Sequence, residues 1–205
     1  MAMSVKVKIC GICTVDDARV AVAAGADFIG LNFHPGSPRY VEPAQARAIA
    51  DAVTATPLVG VFVDAPRARV EEIAARVGLA ALQFHGDEDA TYCTGWGWQT
   101  IKALRAQPGI DLAHEGARYP TDYLLIDSYE PGRAGGTGRP LDPAAAAGLP
   151  AGRLFVAGGL RPDTVAEVVA TLRPFAVDVA SGVEDRPGRK DHGKIEAFIR
   201  AAKAA

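Results

Sequence analysis

The sequence is short of the features that mark several whole classes of protein. It has three cysteines, an odd number and too few for a disulfide framework, so reduced thiols and a cytoplasmic setting are expected. No apolar run reaches the ~20 residues that a membrane span needs. The opening Met1-Ala2-Met3-Ser4-Val5-Lys6 lacks the apolar core of a secretory leader. Lys and Arg number 22 against 24 Asp and Glu, a formal net charge of −2. That balance offers neither a basic stripe for nucleic acid nor an acidic tail, and a small-molecule partner is expected instead. No H-E-x-x-H or comparable ligand pattern suggests a metal, and no cofactor is expected. Low-complexity segments and linkers are also missing, so positions 1–205 read as one domain, with monomer and homodimer both open.

What is present is one repeated alternation. Short β-rich apolar runs fall near 5–10, 27–33, 58–63, 79–84, 99–104, 122–127, 152–157 and 175–180, with helix-period stretches between them. Val70, Ile73, Ala74 and Val77 take the i, i+3, i+4, i+7 spacing of an amphipathic helix, and Ile195, Phe198, Ile199 and Ala202 repeat it. Pro43, Pro66 and the Pro162-Asp163 pair mark helix starts. The fifth unit is weakest, with a short helix expected around 111–118. Strands alternating with helices make parallel βαβ units. Eight units of roughly 25 residues each predict an α/β fold, a single-domain (β/α)₈ TIM barrel. A doubly wound open sheet is the runner-up, disfavoured because no G-x-G-x-x-G turn follows the first run.

Barrel enzymes carry their chemistry at the C-terminal ends of the strands. Here those ends hold Cys10, Asn32 to His34, Asp64, Gln83 to His85, Lys102, Asp127, and Asp178 with Ser181. A thiol, carboxylates and a histidine on one rim favour a site over a mere strand–solvent boundary. Alternation along the first strand puts Val5, Val7 and Ile9 on the helix side and Lys8 and Cys10 inside. In the last strand Val177 and Val179 face outward and Asp178 inward. Closure makes these two strands neighbours, and a lone buried charge is costly, so a Lys8–Asp178 pair is expected.

Glycine-rich turns follow three strands: Gly135-Gly136-Thr137-Gly138, Gly158-Gly159 and Ser181-Gly182. Runs of backbone N–H groups free of bulky side chains form anion nests, and the loops after strands seven and eight are the usual barrel phosphate site. The long loop 128–140 is a candidate lid. Cys10-Gly11-Ile12-Cys13 also reads as a C-x-x-C redox pair, but eight units exceed a thioredoxin fold, and zinc lacks further ligands, with Cys93 standing alone. His34, His114 and His192 carry no signal, and Trp96 and Trp98 read as packing.

Taken together, Val7-Lys8-Ile9-Cys10-Gly11-Ile12, Phe33-His34-Pro35-Gly36-Ser37-Pro38-Arg39-Tyr40, Leu82-Gln83-Phe84-His85-Gly86, Leu125-Ile126-Asp127-Ser128, Ala157-Gly158-Gly159-Leu160, Val177-Asp178-Val179 and Pro187-Gly188-Arg189-Lys190-Asp191 resemble, in order, the motifs of phosphoribosylanthranilate isomerases. The resemblance spans essentially the whole chain. It implies an Amadori rearrangement of a phosphorylated sugar–anthranilate substrate in tryptophan biosynthesis. It assigns Cys10 as general base, Asp127 as general acid and Arg39 to the anthranilate. Gly135, Gly136, Gly158, Gly159, Ser181 and Gly182 fall in its phosphate cradle, and Lys8, His85 and Asp178 match further substrate positions. Cys13, Asp64 and Phe84 depart from the family's usual Thr, Asn and Leu without removing a catalytic group.

The chemistry asks for opposite tuning at the two ends. An acid needs a raised carboxyl pKa, and a thiolate base a lowered one, for which Lys8 and the helix after Thr14 are candidates. The corresponding isomerisation of histidine biosynthesis is a rival reading, but it expects an Asp at the first strand and two half-barrel repeats. A catalytically inert binding barrel is a further alternative.

Overall fold

A computed structural model describes residues 4–128 and 146–205. Eight parallel strands close into a barrel in sequence order: β1 (Lys6–Ile9), β2 (Phe28–Asn32), β3 (Leu58–Phe62), β4 (Ala81–Phe84), β5 (Gln99–Ala106), β6 (Tyr123–Ser128), β7 (Leu154–Val156) and β8 (Ala176–Val179). The open-sheet alternative is thereby excluded, because β1 pairs directly with β8. Around the barrel lie α1 (Val15–Ala23), α2 (Pro43–Ala52), α3 (Arg67–Val77), α4 (Leu112–Ala117), α5 (Val165–Leu172) and α6 (His192–Lys203). No described helix is long and apolar enough to cross a membrane.

Local chemistry explains the helix starts. Thr14 caps α1 by accepting from the Asp17 N–H at 3.1 Å. Pro43 occupies the first turn of α2, where its missing N–H costs nothing. Asp111 caps the short α4. The apolar stripes foreseen for α3 and α6 are all buried. The strand near 152–157 is shorter than expected, since Ala151–Arg153 form a 3₁₀ turn.

Residues 85–98 depart from the expected alternation, for they form turns with no helix. Gly86, Gly95 and Gly97 are poor helix formers, and so are Asp87 and Asp89. Aromatic packing covers the outer face of β4 instead. Phe84, Tyr92 and Trp96 lie with ring centroids 5.2–5.4 Å apart. Arg67 stacks over Trp96 at 3.9 Å. A second element outside the expected alternation is the antiparallel hairpin β9 (Glu184–Arg186) and β10 (Arg189–Lys190), turned at Pro187-Gly188 and set between β8 and α6.

The core has two parts. Outward strand residues, Val5, Val7, Ile9, Val177 and Val179 among them, pack against the helices. Inside the barrel, Phe28, Tyr123, Phe155 and Phe175 cluster near the strand N-termini, with Tyr123 and Phe175 stacked at 4.8 Å. This plug fills the lower barrel and leaves the C-terminal ends to form the site.

Candidate active site

Inward parity delivers one residue per strand end to a common cavity of about 200 Å³, lined by Cys10, Asn32, Arg39, His85, Arg105, Asp127 and Asp178 together with the turns after β7 and β8. At its floor Asp178 forms the expected ion pair. Lys8 is fully buried, its ammonium donating to Asp178 Oδ1 at 2.9 Å, and the two residues are direct register partners across β1 and β8. Burial pulls the Lys8 ammonium down, but Asp178 and Cys10 outweigh it and the group ends above its ordinary range. Lys8, expected at the substrate surface, does not reach the cavity. It supports Cys10 and Asp178 from below.

The expectation of a lowered Cys10 is corrected. Burial pushes its thiol up and Asp178 adds to the effect, while Lys8 and Lys190 offset only part of it. Lys8 is committed to Asp178, and the positive end of α1 already faces its own Asp16 and Asp17. Space beside Cys10 comes from Gly30 on β2: a Cβ there would lie 2.9 Å from the Cys10 sulfur and 3.1 Å from the Lys8 nitrogen.

Across the cavity, Asp127 is the penultimate residue of β6 and is 7% exposed. His85 Nε2 stands 3.3 Å from its Oδ2. Gln83 Nε2 lies 2.8 Å from His85 Nδ1, orienting the ring from below. Arg39 lies in the loop after β2. Its guanidinium donates through Nε and Nη2 to both carboxylate oxygens of Glu184, each at 2.7 Å. These bonds raise the Arg39 pKa, while burial pushes Glu184 up but Arg39 and Lys190 bring it below its usual value. Gly158 and Gly159 both take positive φ, 86° and 65°, a conformation that glycine adopts freely, and both line the cavity.

The family model for N-(5'-phosphoribosyl)anthranilate (PRA) isomerase matches residues 7–201. The chain belongs to the phosphoribosylanthranilate isomerase family. The N-(5'-phosphoribosyl)anthranilate isomerase of Cellvibrio japonicus is 45% identical over 97% of this chain and 94% of its own. The crystal structure of the Thermus thermophilus phosphoribosyl anthranilate isomerase superposes with a TM-score of 0.86 at 39% identity, covering 96% and 97% of the two chains. A phosphoribosyl anthranilate isomerase in complex with reduced 1-(o-carboxyphenylamino)-1-deoxyribulose 5-phosphate matches with a TM-score of 0.84 at 35% identity, over 98% and 100%.

Within this family frame, the structure gathers Cys10, Arg39, His85, Asp127, Asp178, Gly158, Gly159, Ser181 and Gly182 around one cavity. Gly135 and Gly136, with the rest of the expected lid past Ser128, lie outside the described residues. Two rim residues do not join the site. Lys102 shares the outer face of β5 with Leu104, and its ammonium is held by the Gly86 carbonyl and Glu88, each at 2.7 Å. Asp64 instead ties neighbouring loops together by accepting from the Asp87 N–H. Arg105 was not foreseen, although it shares inward parity with Ile101 and Ala103. Gln83 and His34, the latter a histidine without a sequence signal, also line the cavity. Cys13 turns its thiol toward the Arg39 carbonyl at 3.5 Å, and all three cysteines are free. No group of three or more potential metal ligands occurs among the described residues.

Proposed function

We infer that this chain catalyses the Amadori rearrangement of N-(5-phosphoribosyl)anthranilate to 1-(2-carboxyphenylamino)-1-deoxyribulose 5-phosphate, in tryptophan biosynthesis, with Cys10 as general base and Asp127 as general acid. The observation that carries the reading is that a thiol from β1 and a carboxyl from β6 border one cavity whose mouth holds the Gly158-Gly159 and Ser181-Gly182 turns. These turns offer backbone N–H groups to the phosphate. Arg39 faces the ring carboxylate.

Asp127 gives its proton to the furanose ring oxygen as the C1′–O bond breaks and the nitrogen lone pair forms an iminium. Cys10 takes the C2′ proton, and the released electron pair forms the C1′–C2′ double bond while neutralising the iminium. Protonation at C1′ and loss of the 2′-hydroxyl proton complete the ketone. Burial holds the thiol up, and the iminium adds a further counter-charge: a cation beside Cys10 pulls its pKa down when the base is needed. His85, beside Asp127, orients the acid.

Positioned acids and bases contribute on the order of 10²–10⁴ in rate. Cys10→Ala and Asp127→Asn should each lower kcat by that order, measured as the disappearance of substrate fluorescence, while a reduced product analogue still binds. Near-wild-type turnover in either variant overturns the assignment.

A further inference from the structure

The β9–β10 hairpin stands outside the eight βα units, yet it sets two buried charges, Glu184 and Lys190, behind Arg39, a residue of the cavity wall. Its register sets Lys190 opposite Glu184. The Lys190 ammonium donates to Glu184 Oε1 at 2.9 Å and to the Ala180 carbonyl at 3.0 Å. Glu184 in turn grips Arg39, which belongs to a loop 145 residues earlier in the chain. Side-chain exposure is 15% for Arg39, 4% for Glu184 and 0% for Lys190. Burying three charges in one cluster is weak evidence of a stabilising purpose, since desolvation can exceed the Coulombic gain.

The geometry of the grip suggests what the cluster does. A guanidinium has two flat edges able to meet a carboxylate. Glu184 occupies the edge formed by Nε and Nη2. The other edge, Nη1 with the second Nη2 hydrogen, has no hydrogen-bond acceptor among the described residues, and Arg39 borders the cavity. That edge carries two parallel N–H groups, the pattern that binds a carboxylate bidentately. Glu184 cannot turn away to meet anything else, because both of its oxygens are engaged. Through Lys190 the cluster is also tied to Ala180, the residue before the Ser181-Gly182 turn. One connected network thus spans the two places where a substrate with an anion at each end would be held.

We propose that Glu184, braced by Lys190, is a positioning residue that holds Arg39 with its free edge toward the substrate's ring carboxylate, and so sets the preference for a carboxylated aryl group. This rests on the reading of Arg39 as the carboxylate contact. The test compares binding of two ligands by calorimetry: the reduced product analogue, and the same compound with a phenylamino group in place of carboxyphenylamino. Glu184→Gln should shrink the preference for the carboxylated ligand about tenfold, the effect of misplacing a charge-assisted hydrogen-bond pair. Affinity for the phenylamino ligand should change by less than about threefold. Glu184→Asp keeps the charge but withdraws it by one methylene, and an intermediate preference is expected; it carries the test if Glu184→Gln does not fold. Equal weakening of both ligands, or an unaltered preference, overturns the proposal. Arg39→Ala separates the two levels. If it abolishes the preference while the Glu184 variants keep it, the positioning role alone fails; if it leaves the preference intact, the carboxylate contact fails as well.

Discussion

The Lys8–Asp178 pair allows a quantitative test of what the charges beneath the cavity do. Lys8 is 0% exposed and Asp178 7%, and they meet at 2.9 Å. Lys8→Met leaves the Asp178 carboxylate in the barrel without its counter-ion, and Asp178→Asn strands the ammonium. Removing one partner of a buried pair costs ~3–5 kcal/mol. Against a total stability of ~5–15 kcal/mol for a domain, either variant should be marginal. With a urea m-value of ~1–3 kcal/mol/M, the denaturation midpoint should fall by roughly 1–5 M. The double variant Lys8→Met/Asp178→Leu removes both charges and their desolvation together. Its stability should return to within ~1–2 kcal/mol of the starting protein, as apolar replacement of a buried pair is often neutral or better. Its turnover should nonetheless remain low, because Cys10 would have lost the cation that opposes its burial. Equilibrium urea unfolding followed by far-UV circular dichroism gives all four corners of the cycle. Single variants costing less than ~1 kcal/mol each, or a double variant costing their sum, would refute the reasoning.

Other consequences can be checked independently. Cys10 in the free protein should react with iodoacetamide more slowly than an unperturbed thiol at pH 8, with the rate climbing through and above the ordinary thiol range. Asp178→Asn should speed the reaction, because Asp178 raises Cys10 and also engages Lys8; modification mapped by mass spectrometry reports both, and a wild-type Cys10 that alkylates rapidly at neutral pH contradicts the charge arrangement. Gly30→Ala forces a methyl against Cys10 and Lys8, an overpacking of ~1–3 kcal/mol that should lower Tm by roughly 2–12 °C. Its kcat should fall with it, and unchanged melting and turnover would show that the barrel interior has room to spare. Asp27 accepts from the Val7 N–H at 2.9 Å and from Lys6 and Lys203 at 3.0 Å each. Burial pushes its pKa up, but these donors bring it below the ordinary value. A carboxyl lowered on folding contributes stability above ~4, its unfolded value, and loses it as pH falls through the folded value. Asp27→Asn should therefore lower Tm most at neutral pH and least near pH 2, and a constant gap across that range would rule the charge out as the source.

How far the sequence reaches depends on whether a feature follows from a period or from a place in space. The inward set Lys8, Cys10 and Asp178 follows from two-residue alternation alone, and Asp127 from its place at a strand end. The Lys8–Asp178 contact follows as well, despite 170 intervening positions, because closing a barrel of eight in-order strands makes the first and last neighbours. Arg105 is open to the same logic, since Ile101 and Ala103 already face inward, whereas Lys102 lies on the opposite face of that strand. Arg39 and Glu184 are different. Each lies outside the barrel strands, so no alternation aims them, and only the folded hairpin brings them together. The state of Cys10 was illegible for another reason. A cation two residues away on the same strand face suggested a lowered thiol, but the sign is set by full burial and by Asp178 claiming that cation, neither of which a local pattern records. On the mechanism proposed above, the ring-opened iminium adds a cation to those of Lys8 and Lys190, which by themselves offset only part of the burial of Cys10.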